Sequence, residues 1–255
     1  MGESDQASKA GGQLTMSALL GVLGGMGPLA TVDFLGKLVD ETPARRDAEH
    51  IPIIVYSVPH IPDRARAILE AGESPLPAML AGIRTLKGAG ATCIVIPCNS
   101  AHYWYDDLVR EGGLPILHIA DAACGQFAAR GVQANTVGLI ATKGTLAAGF
   151  FQQRLDACGY RCITNTARDQ DALVLPAIES VKRNDVGGAH ALVVRAAQNL
   201  HDQGAQAIVL ACTELPLAFE YAPTAIAAIC IDATRALARA SVAWWQSACA
   251  PSRSQ

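Results

Sequence analysis

Short runs of contiguous apolar residues recur along the chain, separated by longer stretches whose apolar positions follow helical spacing. The runs cover residues 18–23, 51–58, 92–96, 116–119, 136–140, 207–210 and 226–231. Each is rich in Val, Ile or Leu, and most lack the polar alternation of a half-exposed strand. They therefore predict strands buried on both faces. The stretches between them, 29–40, 77–89, 120–130, 146–157 and 189–203, predict helices. Strand and helix alternate, so the fold class is α/β with parallel sheets.

The pattern also repeats. With Cys98 placed over Cys212, an offset of 114, Gly90-Ala91 falls on Gly204-Ala205 and Ile94-Val95-Ile96 falls on Ile208-Val209-Leu210. At nearly the same offset, Gly21-Val22-Leu23-Gly24 and Gly27 fall on Gly138-Leu139-Ile140-Ala141 and Gly144. Two motifs repeating in one order predict two similar doubly wound lobes about a pseudo-twofold axis, with the active site in the cleft between them. The first lobe is expected to span 18–117, completed by a C-terminal helix over 231–250. The second is expected to span 118–230.

Composition narrows the classes. Hydrophobic residues make up 51% and charged residues 17% of 255, the profile of a chain that buries a core. The net charge is −3 and no run of Lys or Arg forms a basic stripe, which argues against a nucleic-acid partner. Residues 1–17 read as a disordered polar tail. The apolar run after them is too short for a membrane anchor, so neither an export signal nor membrane attachment is expected. On that footing the eight Cys are read as reduced thiols of a cytoplasmic protein. Only Cys158 and Cys162 approach a zinc-ligand spacing, and no second pair completes a site, so no metal is expected.

Two of the eight carry chemistry. Cys98 and Cys212 each follow the last apolar residues of a predicted strand, where ligands of open parallel sheets bind. Asn99-Ser100 follows the first and Thr213-Glu214 the second, residues that can open a turn or helix whose N–H groups favour an anion. Inverting a Cα centre requires removing a proton from one face and delivering one to the other. Two thiols on opposite sides of a cleft can do this, one as thiolate base and one as thiol acid. Cys93, Cys124, Cys158, Cys162, Cys230 and Cys249 are expected to be inert. The Gly24-Gly25-Met26-Gly27 loop misses the spacing of a dinucleotide cradle and lacks the Lys of a phosphate loop. A backbone approaching a small carboxylate fits it better. His102 stands one helical turn beyond Cys98 and either tunes that thiol or simply opens the helix. His118 is expected to be structural.

With "GVLGGMGPLATVDF" at 21–34, "IPDR" at 61–64, "IPCNSAH" at 96–102 and "LACTELP" at 210–216, supported by "GLIATKGT" at 138–145, the chain resembles the aspartate racemase branch of the aspartate/glutamate racemase superfamily. The resemblance implies a homodimer of two-lobed subunits that racemises an amino acid, needing neither pyridoxal phosphate nor metal. It implies Cys98 and Cys212 as the catalytic acid/base pair, and it carries substrate-binding roles to Arg64 and Lys182. The loops bearing these motifs add Met26, Gly27, Asn99, Ser100, Ala101, Thr213 and Glu214 as expected substrate contacts. Glutamate racemases have an Asp-Ser-Gly loop after the first strand and a His after the second Cys-Thr. Here the loop is Gly-rich and Glu214 follows Thr213, which favours aspartate over glutamate. A broad-specificity racemase, a decarboxylase, a maleate-type isomerase and a non-catalytic binder are the alternatives.

Overall fold

The computed structural model describes residues 18–129 and 134–250. The expected tail at 1–17 lies outside them. The chain forms, in order, β1 (Leu20–Gly24), α1 (Pro28–Glu41), β2 (Ile53–Ser57), α2 (Arg64–Leu69), α3 (Leu76–Gly88), β3 (Cys93–Val95) and α4 (Tyr105–Gly112). There follow α5 (Ile119–Ala129), β4 (Thr136–Ala141), α6 (Lys143–Ala148), α7 (Phe150–Ala157), β5 (Arg161–Thr164), α8 (Ala167–Asp169) and α9 (Leu175–Lys182). The last elements are α10 (Val186–Asp202), β6 (Ala207–Ala211), α11 (Leu215–Phe219), β7 (Cys230–Asp232) and α12 (Ala233–Cys249).

All strand pairing is parallel. The first sheet runs β2-β1-β3 and gains a single bridge from Ile116 to Ile94; the second runs β5-β4-β6-β7. Each sheet therefore repeats one order, the first ending in a lone bridge where the second has a short strand. Alternate residues of the central strands face different cores. Leu20, Val22, Cys93 and Val95 of the first sheet share one core with Val137, Leu139, Ala207 and Val209 of the second, filled by α1, α5 and α12. Leu23, Ile94 and Ile96 pack outward with α3 and α4. Ile140, Ile208 and Leu210 pack outward with α9 and α10. The alternation of strand side chains thus yields two lobes sharing a central helix layer. Among the described residues no helix is long and apolar enough to cross a membrane.

Local chemistry sets the boundaries. Pro28 opens α1, where its missing N–H costs nothing. Thr42, held extended ahead of Pro43, closes it. The helix expected over 146–157 is two helices, because Gly149 adopts φ +74° between them. The strand expected over 226–231 begins only at Cys230, and 225–229 forms a 3₁₀ turn that buries Ile226. Ile231 therefore belongs to the second sheet, and the expected return to the first lobe falls inside β7. Of the run 116–119, Ile116 makes the bridge while Ile119 opens α5. A buried ion cluster ties α1 to the end of β7: Lys37 Nζ lies 2.7 Å from Asp33 and 2.6 Å from Asp232. Burial opposes the Lys37 charge, but Asp232 and Asp33 more than offset it and hold its pKa above the usual value.

Candidate active site

Both predicted thiols sit just past the carboxyl ends of parallel strands, Cys98 after β3 and Cys212 after β6. Beyond β3 the chain turns tightly, Cys98 N–H donating to the Ile96 carbonyl at 2.7 Å, and then enters a 3₁₀ turn over Ser100–Trp104. Beyond β6, Leu215 N–H donates to the Cys212 carbonyl at 3.0 Å and α11 begins. Cys98 and Cys212 are each 4% exposed and line one cavity of about 410 Å³, including its solvent-open part.

The cavity brings together most of the residues singled out from sequence. Met26, Arg64, Asn99, Ser100, Lys182, Thr213 and Glu214 line it with the two Cys. Gly27 lines an adjoining outer chamber with Pro28 and Pro59, to which Arg64, Lys182 and Glu214 also contribute. Ala101 does not belong. The 3₁₀ turn rotates it away from the cleft, and it is fully buried in the outward core of the first lobe.

The polar groups are unevenly satisfied. Asn99 is 3% exposed, yet neither its Oδ1 nor its Nδ2 has a partner. An unpaired buried amide costs on the order of 1–3 kcal/mol, which a ligand would recover. Arg64 donates from Nη1 to the carbonyls of Ile61 (3.1 Å) and Pro62 (3.0 Å), and from Nη2 to that of Met26 (3.3 Å). Its buried Nε has no partner. The side chain thus pins the glycine-rich loop and keeps donor capacity in reserve. Lys182, the last residue of α9, is exposed at the rim.

The two sulfurs differ in their neighbours. Cys98 Sγ lies 3.7 Å from Ser100 Oγ. Cys212 Sγ lies 3.0 Å from Glu214 Oε2, which also accepts from Thr213 Oγ1 at 3.2 Å. Burial first, and then the Glu214 charge and hydrogen bond, push the Cys212 thiol well above its ordinary pKa; Lys182 pulls the other way. Beneath Cys98, His102 Nε2 accepts the Ile119 N–H at 3.3 Å, so the ring proton sits on Nδ1 and is donated to the Cys98 carbonyl at 3.0 Å. Burial lowers the His102 pKa to about 4 and that of His118 to about 2. Both are neutral at pH 7. His118 Nδ1 accepts the Ala120 N–H at 3.1 Å.

Sequence reasoning missed Thr142 and Thr145 in the lining. Thr142 caps α6 by accepting the Thr145 N–H at 3.1 Å. The repeat already held the signal, since these residues follow the strand that matches β1. It also missed Gln170, whose Nε2 donates to the Ala141 carbonyl at 2.9 Å and so holds the end of β4.

The sequence profile described as Asp/Glu/Hydantoin racemase matches residues 23–241. An aspartate racemase from Picrophilus torridus shares the fold at a TM-score of 0.78 and 30% identity, over 90% of this chain and 94% of that one. The broad specificity amino-acid racemase RacX of Bacillus subtilis (strain 168) is 27% identical over 232 residues, 88% of this chain and 96% of that protein. A glutamate racemase from Francisella tularensis, solved with D-glutamate, shares the fold alone: TM-score 0.65 at 18% identity, over 94% of this chain and 85% of that one.

Proposed function

As the chain belongs to the Asp/Glu/hydantoin racemase family, we propose that it is a cofactor-independent amino-acid racemase, with Cys98 and Cys212 as its acid/base pair and aspartate as its preferred substrate. The observation that carries this reading is the pair of buried thiols lining one cavity from equivalent strand ends of the two lobes. A planar carbanionic intermediate between them would have one sulfur over each face, which is what exchange of the Cα proton requires. A decarboxylase protonates one face only and has no use for the second thiol.

In this reading the unpaired Asn99 amide, Ser100 and Thr213 receive the α-carboxylate. Arg64 and Lys182 receive the side-chain carboxylate, Arg64 through the N–H capacity it has not spent on the loop. A homodimer is part of the same proposal, by family likeness. One observation favours a second reading, broad specificity. The outer chamber continues past Arg64 and Lys182 and is also lined by the carboxylates of Asp63 and Glu214, so longer or cationic side chains have room and countercharge.

The test is a racemisation screen of the common L-amino acids in D₂O, read by chiral chromatography and mass spectrometry. Aspartate is expected to racemise with deuterium at Cα. Lys182→Ala is expected to lose aspartate turnover about 10- to 100-fold, the scale of one charged hydrogen bond, while sparing neutral substrates; Arg64→Ala, which also frees the Met26 loop, is expected to lose turnover of both. A wild-type preference for a neutral amino acid defeats the dicarboxylate assignment. Saturable binding without Cα exchange defeats the enzyme.

A further inference from the structure

The pseudo-twofold repeat supplies two thiols, but it does not supply two equal environments. Glu214 is 7% exposed, and its Oε2 contacts the Cys212 sulfur at 3.0 Å and the Thr213 hydroxyl at 3.2 Å. Its Oε1 faces the other lobe, 3.7 Å from where a Cβ on Gly27 would stand. An ionised carboxylate only accepts hydrogen bonds. A 3.0 Å contact between two anion-forming groups in a buried site therefore needs a proton between them. The partner of Cys98 is of the opposite kind: the Ser100 hydroxyl, at 3.7 Å, can donate to a thiolate.

We propose that Glu214 is a positioning residue that keeps Cys212 protonated between turnovers, so that the resting protein holds Cys212 as the acid and Cys98 as the base. This rests on the racemase reading above and assigns the starting roles within it. In the forward step the Cys98 thiolate takes the Cα proton from one face, and Cys212 gives its proton to the other. Cys98 is then the thiol, and Cys212 is a thiolate beside a carboxylate. A proton gained at Cys212 from water and one lost from Cys98 restore the resting form. The charged groups facing Cys212 across the cavity are Lys182 from the end of α9 and Arg64 and Asp63 from the start of α2. Lys182 opposes Glu214, and the direct contact favours Glu214.

The experiment is site-resolved alkylation of the intact protein by iodoacetamide from about pH 6 to about pH 10, where thiolates form. Each Cys peptide is quantified by mass spectrometry. Both residues are 4% exposed overall, and comparing Cys212 in wild type with Cys212 in the Glu214 variants holds its access constant. In wild type, Cys98 is expected to label at least about tenfold faster than Cys212 near neutrality. Glu214→Gln should raise Cys212 labelling about tenfold and move its onset to lower pH, with Cys98 unchanged. Glu214→Asp, which keeps the charge on a shorter arm, should fall between the two. In the racemisation profile, Glu214→Gln should move the alkaline limb to lower pH, whereas a merely structural loss would lower the rate at every pH. Equal labelling of the two Cys in wild type, or a Glu214→Gln curve superimposed on wild type, overturns the proposal. Labelling requires no turnover. A protein that labels as expected but racemises nothing therefore refutes the racemase reading and leaves the hold of Glu214 on Cys212 in place.

Discussion

The turn after β3 and the turn after β6 present the same side chain, a cysteine, from the same scaffold and are braced by different chemistry. The Cys98 turn rests on His102, which bridges the Cys98 carbonyl to the Ile119 N–H at the junction between the lobes. At the repeat-equivalent position of the second lobe stands Pro216, which can neither bridge nor titrate. There the bracing comes from Glu214, at the sulfur itself. The loops after the first strands show the same split. Arg64 holds the Met26 carbonyl in one lobe, and neutral Gln170 holds the Ala141 carbonyl in the other. A duplicated fold thus fixes where the two sulfurs stand. The unduplicated side chains give each sulfur a different neighbour, Ser100 Oγ at 3.7 Å from Cys98 and Glu214 Oε2 at 3.0 Å from Cys212.

Removing the sulfurs gives the largest effect and tests the symmetric half of that comparison. Cys98→Ala and Cys212→Ala are each expected to lower racemisation by about 10²–10⁴-fold, the usual contribution of a positioned acid or base. Each variant keeps one sulfur over one face, so deuterium wash-in should persist for one enantiomer only, and for opposite enantiomers in the two variants. The environments add an asymmetry: residual wash-in should be slower in Cys98→Ala, which leaves only the thiol that Glu214 keeps protonated. Full racemisation in either variant breaks the two-thiol assignment. Equal residual exchange breaks the asymmetry alone.

The sequence already carried the parts of this comparison that rest on strong local pattern. Contiguous Val, Ile and Leu marked the central strands, and the offset of 114 paired Cys98 with Cys212. The parts it hid depend on tertiary contact. β5 carries Arg161 and Thr164 at its ends and lies at a sheet edge, so it lacks the unbroken apolar run of a central strand. Ala101 reads as a neighbour of the thiol because it is near in sequence, and only the 3₁₀ turn shows it pointing into the core. Arg64 reads in sequence only as a substrate ligand, and its three hydrogen bonds to backbone carbonyls, one of them 38 residues away, emerge only from the fold. Gln170 gave no signal at all, since a buried amide gripping a strand end looks in sequence like any surface glutamine.

Acid tests the bracing of the Cys98 turn. The folded-state pKa of His102 is lowered to about 4 from 6.5, chiefly by burial, and that of His118 to about 2. The unfolded chain therefore binds protons that the folded chain refuses. Stability from this source is fully present above about pH 6.5 and is lost as pH falls towards about 4. For His102 the loss is on the order of 3 kcal/mol. Protonation would also place a donor on Nε2 against the Ile119 N–H. Hydrogen exchange at about pH 5 should therefore rise first in residues 98–102 and 117–120, before residues 212–218. Simultaneous opening of both turns would mean that His102 does not brace the first one selectively.

The smallest expected effect separates the lobes by packing alone. Gly21 in β1 and Gly138 in β4 are equivalent in the repeat, and each faces the Gly-Ala turn ahead of a later strand. A Cβ added at Gly21 would come within 2.8 Å of Ala91 Cβ and 2.7 Å of Ile94 Cδ1. At Gly138 the same atom would meet Ala205 Cβ at 3.2 Å and Leu200 Cδ1 at 3.0 Å. The ends of Ile94 and Leu200 can swing aside. The alanine Cβ atoms can retreat only if the backbone moves, so the distances to Ala91 and Ala205 decide the outcome. Overpacking costs about 1–3 kcal/mol. Gly21→Ala is expected near the upper figure and Gly138→Ala near the lower. Each kcal/mol lowers Tm by about 2–4 °C in a chain of this size. Urea midpoints should fall in the same order with unchanged slopes, since neither methyl alters the surface exposed on unfolding. Equal losses would mean that β1 and β4 yield alike, and that the tighter approach of the first lobe has no energetic weight.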